Sequence, residues 1–177
     1  GSTITQQVAR IFYLDSGRTI SRKLNEIVIA WKIERAFRKD DILDLYLNSI
    51  PYGSNAYGIQ AAAEAFFGKD AWRLSTDEAA FLAALPKATT YYSPYRGRER
   101  ELVMRQRSII RRMAELGFIS RDEEKRALVS DTLAKVLPRN DPIVAPHFVF
   151  YVLDEIRRKY GDAFLRQGGL RIRTSLD

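Results

Sequence analysis

The sequence predicts a mostly α-helical domain, on three observations. Apolar residues recur at spacings of three and four through most of the 177 positions, the mark of one-sided helices. Capping residues open these segments, and Gly or Pro closes them. Alternating apolar and polar residues, the mark of a strand, occur only near the C-terminus, in Leu170-Arg171-Ile172-Arg173-Thr174.

Taken in order, Thr3-Ile4-Thr5-Gln6 has the form of a capping box. It opens a helix to about Leu14 that is expected to bury Ile4, Val8, Ile11 and Phe12, with Gln7 and Arg10 on the polar side. Asp15-Ser16-Gly17-Arg18 breaks it. A second helix ends near Phe37 and carries Ile20, Leu24, Ile27, Val28 and Trp31 as its expected buried stripe. A third runs from about Asp40 to Asn48, with Ile42, Leu43, Leu45 and Leu47, and stops at Pro51 and Gly53. The segment from Pro51 to Gly58 reads as a loop into a helix over 59–67, whose small residues admit another backbone and which Gly68 closes. Ser75-Thr76-Asp77-Glu78 caps an Ala/Leu-rich helix that ends at Pro86. An aromatic loop from Tyr91 to Gly97 precedes helices at about 99–116 and 121–129. Arg139-Asn140-Asp141-Pro142 reads as a boundary, dividing a domain at 1–138 from a helix and linker strand at 139–177. That strand needs a partner from elsewhere, since a lone strand is unstable.

Composition excludes several functions. With 46% hydrophobic and 29% charged residues the chain is an ordinary globular sequence, so disorder is excluded. The absence of Cys excludes a disulfide scaffold, a thiolate metal site and a Cys nucleophile. A single His excludes multi-His zinc sites and argues against a Ser-His-Asp hydrolase. A net charge of +7 favours an anionic partner, whether nucleic acid, phospholipid or a phosphate-bearing substrate. The longest apolar runs, 27–31 and 79–85, fall well short of the ~20 residues of a spanning helix. The opening Gly1-Ser2-Thr3-Ile4-Thr5 shows no leader pattern and reads as a chain cut into from the left.

Two clusters could carry chemistry. In Arg22-Lys23-Leu24-Asn25-Glu26, Arg22 and Glu26 fall one helical turn apart, with Lys23 beside them. Two cations beside one carboxylate suit a diphosphate leaving group, whose charge grows as its bond breaks. Spacing alone favours the plainer alternative, a solvated i,i+4 pair worth about 0.3–0.5 kcal/mol. Ser2, Gln6, Gln7 and Arg10 form the second cluster, able to hold phosphate oxygens or simply to make a cap and a polar face. Arg18 adds a further cation, and the Asn48 amide is placed to brace the site. The arginines from Arg96 to Arg112 do not line one face, which argues for a solvated helix over a nucleic-acid stripe. His147, between Pro146 and Phe148, reads as structural.

Four motifs then stand in register: Ser2-Thr3-Ile4-Thr5-Gln6-Gln7, Arg22 to Glu26, Lys39 to Asn48, and Gly58 to Lys69. Together they resemble the peptidoglycan glycosyltransferase domain of class A penicillin-binding proteins and their monofunctional relatives. The likeness continues through Asp77-Glu78-Ala79-Ala80, Leu85-Pro86 and Ser93-Pro94. Residues 168–177 resemble the linker entering a transpeptidase domain. Phe66 stands where the family usually has Tyr, Arg10 where it has Lys, and Pro51 at a position often aromatic.

The resemblance implies a lysozyme-like helical glycosyltransferase lobe with a short C-terminal linker strand. It implies polymerisation of lipid II into glycan strands, with inversion and release of undecaprenyl diphosphate, at the outer face of the bacterial cytoplasmic membrane. Glu26 becomes the supporting catalytic carboxylate. Ser2, Gln6, Gln7, Arg10, Arg18, Arg22, Lys23 and Asn48 become the diphosphate pocket. The resemblance fixes no cofactor, and a divalent cation, Mg or Mn, at Glu26 is left open. The implied partners are lipid II, the growing strand and an anionic membrane surface, with a transpeptidase domain in the parent and no nucleic acid. The family's first motif, which supplies the general base, is not among these residues, nor is the membrane anchor. The expectation is therefore a fragment with impaired turnover. No Ser-x-x-Lys occurs, so these residues carry no penicillin-sensitive transpeptidase centre. The alternatives are a non-catalytic basic module for membranes or other polyanions, and a lysozyme-like hydrolase, which needs a second carboxylate.

Overall fold

The computed structural model describes residues 2–13, 20–139, 146–161 and 172–174. It is mostly α-helical, as the sequence predicts. Helices α1 (Ile4–Tyr13), α2 (Ile20–Ala36) and α3 (Lys39–Ser49) lead to a hairpin of β1 (Pro51–Gly53) and β2 (Ala56–Tyr57). Then come α4 (Ile59–Phe67), α5 (Thr76–Ala84), α6 (Glu99–Glu115), α7 (Arg121–Val129) and α8 (Pro146–Tyr160). The chain divides into two compact units, Gly1–Arg139 and Asn140–Asp177. In the second, α8 is the helix described. Of the strand expected at 170–174, positions 170 and 171 lie outside the described residues, and 172–174 have no regular structure.

Local chemistry sets the helix ends. Thr3 and Gln6 make the expected reciprocal cap: the Gln6 amide N–H donates to Thr3 Oγ1 at 3.2 Å, and the Thr3 N–H donates to Gln6 Oε1 at 3.4 Å. Ser75 and Ser120 open α5 and α7 in the same way. The hairpin was not legible as strands, because segments of three and two residues are too short to show alternation. Its turn residues Ser54 and Asn55 have φ of 49° and 56°, the left-handed geometry that pairs such short strands. At Gly58 (φ 85°) a Cβ would fall 2.7 Å from the Asn48 carbonyl oxygen, so only glycine lets α4 start this close to the end of α3.

Two cores organise the first unit. The larger gathers Tyr52, Phe66, Phe67, Phe81, Leu82, Leu85 and Leu102 around small alanines. Phe81 sits edge-on to Phe66 and Phe67, with centroids 6.3 and 5.5 Å apart. The smaller core joins α1, α2 and α3 through Val8, Ala9, Ala30, Ile33 and Ile42.

That smaller core overturns two expectations. On α2 the expected stripe is exposed: Ile20 at 84%, Leu24 at 60%, Val28 at 52% and Trp31 at 58%. The buried face is instead Glu26, Ala30 and Ile33. On α1 only Val8 of the expected four is buried, and Ile4, Ile11 and Phe12 are exposed. The reason is steric and electrostatic. Ala9 and Ala30 allow close packing of α1 and α2, and the polar groups flanking them bond across the helices. The helix face with the larger side chains is turned away. On α3, likewise, Ile42 is buried while Leu43 and Leu45 stay exposed.

Candidate active site

The small core brings the start of α1 against the first half of α2. Glu26, 1% exposed, lies between them. Its Oε1 accepts a hydrogen bond from Lys23 Nζ at 2.5 Å and faces Ser2 Oγ at 3.4 Å, while Arg22 Nη1 meets Oε2 at 3.4 Å. Lys23 Nζ also donates to Ser2 Oγ at 2.8 Å and to Gln6 Oε1 at 3.4 Å. Lys23 is therefore the hub: one ammonium gathers a carboxylate, a hydroxyl and an amide from two helices. Gln6 serves both the α1 cap and this cluster through one oxygen.

Burial alone would raise the Glu26 pKa. The Lys23 hydrogen bond and the charges of Lys23, Arg10 and Arg22 outweigh it and hold the carboxyl below its ordinary value of 4.5. Glu26 is thus an anion at neutral pH, suited to orient cations and unsuited to donate a proton. The charge of Arg10 favours the ionised form of both Glu26 and Tyr46. Burial raises the Tyr46 pKa despite Arg10, keeping the phenol protonated. It donates to Gln7 Oε1 at 3.5 Å.

Five of the residues singled out from the sequence thus converge directly: Ser2, Gln6, Arg22, Lys23 and Glu26. Arg10 joins them through its field. Gln7 turns to α3 instead. Asn48 bonds within its own helix, to the carbonyl and carboxylate of Asp44 at 3.0 and 3.1 Å, rather than bracing the cluster. Arg18 lies outside the described residues, and so does the side chain of His147.

Sequence reasoning missed an adjoining clasp. Buried Thr5 donates to Glu34 Oε1 at 2.7 Å, and Lys39 Nζ lies 3.0 Å from Glu34 Oε2. These bonds hold the Glu34 pKa below its ordinary value. The available signal was Glu34 standing two turns beyond Glu26, on the same side of α2 as Ala30. A divalent cation finds no ready set of donors: among the described residues no group of three or more His, Asp or Glu could hold one. Both Glu26 oxygens already face cations of the chain.

Fold and site define a helical domain with a cation-ringed carboxylate at the junction of its first helices, an arrangement suited to receiving an anionic group. The transglycosylase family model matches residues 1–114, and the chain belongs to that family. It is 43% identical over 177 residues to penicillin-binding protein 1A of Aquifex aeolicus, covering all of this chain and 24% of that protein. It is 39% identical to penicillin-binding protein 1A of Rickettsia prowazekii, covering 99% of this chain and 22% of the relative. The crystal structure of penicillin-binding protein 1A from Haemophilus influenzae matches 91% of the chain and 20% of its own, with a TM-score of 0.52 and 25% identity. The chain thus spans between a fifth and a quarter of the length of these curated relatives. Among the described residues no helix is long and apolar enough to cross a membrane.

Proposed function

We propose that this chain is the part of a peptidoglycan glycosyltransferase that holds the diphosphate of a lipid-linked donor. The observation that carries this reading is the cluster of Lys23, Arg22 and Glu26 on α2 meeting Ser2 and Gln6 of α1. In the reaction, an acceptor hydroxyl attacks the anomeric carbon of lipid II or its growing strand. The bond to the diphosphate oxygen breaks, and undecaprenyl diphosphate leaves with inversion. Lys23, Arg22 and Arg10 supply positive charge where negative charge accumulates. Ser2 and Gln6 supply hydrogen-bonding groups, and ionised Glu26 keeps the cations aimed. Arg18, Gln7 and Asn48 extend the pocket in this reading without the same geometric support.

The residues present do not by themselves fit a divalent cation, so no step is routed through one. Deprotonation of the acceptor has no candidate in the cluster, because Glu26 is held by its cations and Glu34 by Thr5 and Lys39. These 177 residues on their own are accordingly expected to bind better than they turn over. An anionic membrane surface suits the net charge and the exposed Leu24, Val28 and Trp31 of α2 beside Lys32 and Arg35. The working place is the outer face of the cytoplasmic membrane, with a transpeptidase domain in the full-length parent.

The test is titration with a lipid diphosphate, comparing the chain with Arg22→Ala/Lys23→Ala. Saturable binding lost in the variant supports the pocket. Equal binding by both proteins, erased by salt, favours the basic polyanion module instead.

A further inference from the structure

Apart from the Glu26 cluster, an open concavity lies in the first unit, in the part of the chain that follows α5. It has a volume of about 590 Å³ and is lined by Thr89, Thr90, Tyr91, Arg96 and Arg98, with Ala88. It is an open groove on the surface, wide enough for a small organic group rather than a bare ion. One wall is tied to the hairpin, because a Cβ on Gly53 would meet Thr89 at 3.6 Å. The Arg98 guanidinium stacks 4.3 Å over the Tyr91 ring. Tyr91 meets Tyr92 edge-on at 5.0 Å, and Arg105 covers Tyr92 at 5.5 Å while donating to the Ala84 carbonyl at 3.1 Å. The loop is therefore held by alternating aromatic and guanidinium groups.

Stacking occupies the face of the Arg98 guanidinium and leaves its N–H edge for an acceptor. Among the described residues, neither Arg96 nor Arg98 is paired with a carboxylate, whereas Lys69, Lys135, Arg112 and Arg121 each have one. The adjacent acid, Glu99, accepts from the Gly97 N–H at 3.2 Å. Two guanidinium forks, two threonine hydroxyls and an aromatic wall thus share one hollow.

We propose that this hollow binds a carboxylate-bearing ligand of peptide size. The planar fork of each arginine matches a carboxylate in two parallel hydrogen bonds. The threonine hydroxyls suit neighbouring amides, and the Tyr91 ring suits an aliphatic side chain. The peptide carried by the lipid-linked disaccharide is a ligand of this class, and the link to that substrate rests on the function proposed above.

The test is an NMR titration of the labelled 177-residue chain at low salt with the acidic peptide N-acetyl-Ala-Glu-Ala. The amidated N-acetyl-Ala-Gln-Ala-amide and inorganic phosphate serve as separate arms. Saturable shifts confined to residues 88–98 are expected, weakened about tenfold or more in Arg96→Gln/Arg98→Gln, which removes the charge-assisted bonds, and kept in Arg22→Ala/Lys23→Ala. Overturning results are absent saturation, equal binding by Arg96→Gln/Arg98→Gln, equal binding of the neutral peptide, or phosphate binding there as tightly as the acidic peptide. Loss of lipid-diphosphate binding with peptide binding intact would remove the proposed function and keep this site. The reverse would remove this site alone.

Discussion

Replacing Lys23 by Met tests whether the α1–α2 junction depends on one ammonium. Met keeps most of the stem and deletes the charge, leaving Glu26 with Arg22 at 3.4 Å as its remaining ion-pair partner. Removing one partner of a fully buried pair costs about 3–5 kcal/mol. The Lys23 side chain is 42% exposed, so solvent screening reduces the expected loss to roughly 1–2 kcal/mol. For a chain of this size that lowers Tm by roughly 2–8 °C. Urea unfolding followed by circular dichroism measures the free-energy loss, and a thermal melt measures the shift in Tm.

The double variant Lys23→Met/Glu26→Gln should recover most of the loss, because no unpaired carboxylate remains. The pH dependence gives an independent check. Glu26 titrates below 4.5 in the folded chain, so its stabilisation is complete above the unfolded value and fades as pH falls through the folded one. The deficit of Lys23→Met should therefore be full at neutral pH and shrink as the pH falls below the ordinary carboxyl value of 4.5. A deficit independent of pH, or a double variant as unstable as the sum of its single changes, would refute the reasoning.

Three further outcomes are expected. Asp77→Ala should cost roughly 2–4 kcal/mol, since Ser75, Ser130, Thr132 and Lys135 all bond to its nearly buried carboxylate at 2.7–2.9 Å. Burial opposes ionisation of Asp77, but these bonds lower its pKa to about 2, so acid unfolding of the parent should show that stability disappearing between about pH 4 and 2. Gly58→Ala should destabilise by roughly 2 kcal/mol or more from strain and its clash with Asn48, whereas Gly117→Ala, with φ 77° and nothing within 4 Å, should lose only about 1 kcal/mol in thermal unfolding. Val28→Lys should change the unfolding free energy from urea denaturation by no more than about 0.5 kcal/mol, whereas Ile33→Ala on the buried face should cost about 2–4 kcal/mol.

The sequence made the helices legible because their ends are chemical: Thr3, Ser75 and Ser120 cap, while Gly68 and Pro86 fall where α4 and α5 end. It misplaced the buried face of α2 because periodicity assumes that the more apolar side is covered. Ile20, Leu24, Val28 and Trp31 win that contest in the sequence, yet Ala30 and Glu26 win it in the structure through contacts with α1 that no local window contains. The site was legible as motifs rather than as geometry. Ser2 and Gln6 look like an ordinary cap until Lys23, some twenty residues later, shares their oxygens.

Of the three carboxylates buried among the described residues of the first unit, Glu26, Asp77 and Glu78, the first two show how differently a buried acid can be held. Asp77 is satisfied by three hydroxyls and one ammonium drawn from Ser75, which caps α5, and the segment after α7, and Gln106 of α6 fastens the same network through the Asp77 carbonyl and Thr132 at 2.8 and 2.7 Å. Nothing there can leave without breaking tertiary structure. Glu26 is satisfied mainly by cations whose side chains remain partly exposed, 42% for Lys23 and 21% for Arg22. Those cations can turn toward an incoming anion while the helices stay in place, since Val8, Ala9, Ala30 and Ile33 hold the backbones. An ion pair fixed by exposed cations over a packed backbone can exchange its internal anion for an external one. Under the function proposed above, Glu26 would keep Lys23 and Arg22 oriented in the free chain, and a bound diphosphate would take over part of their charge.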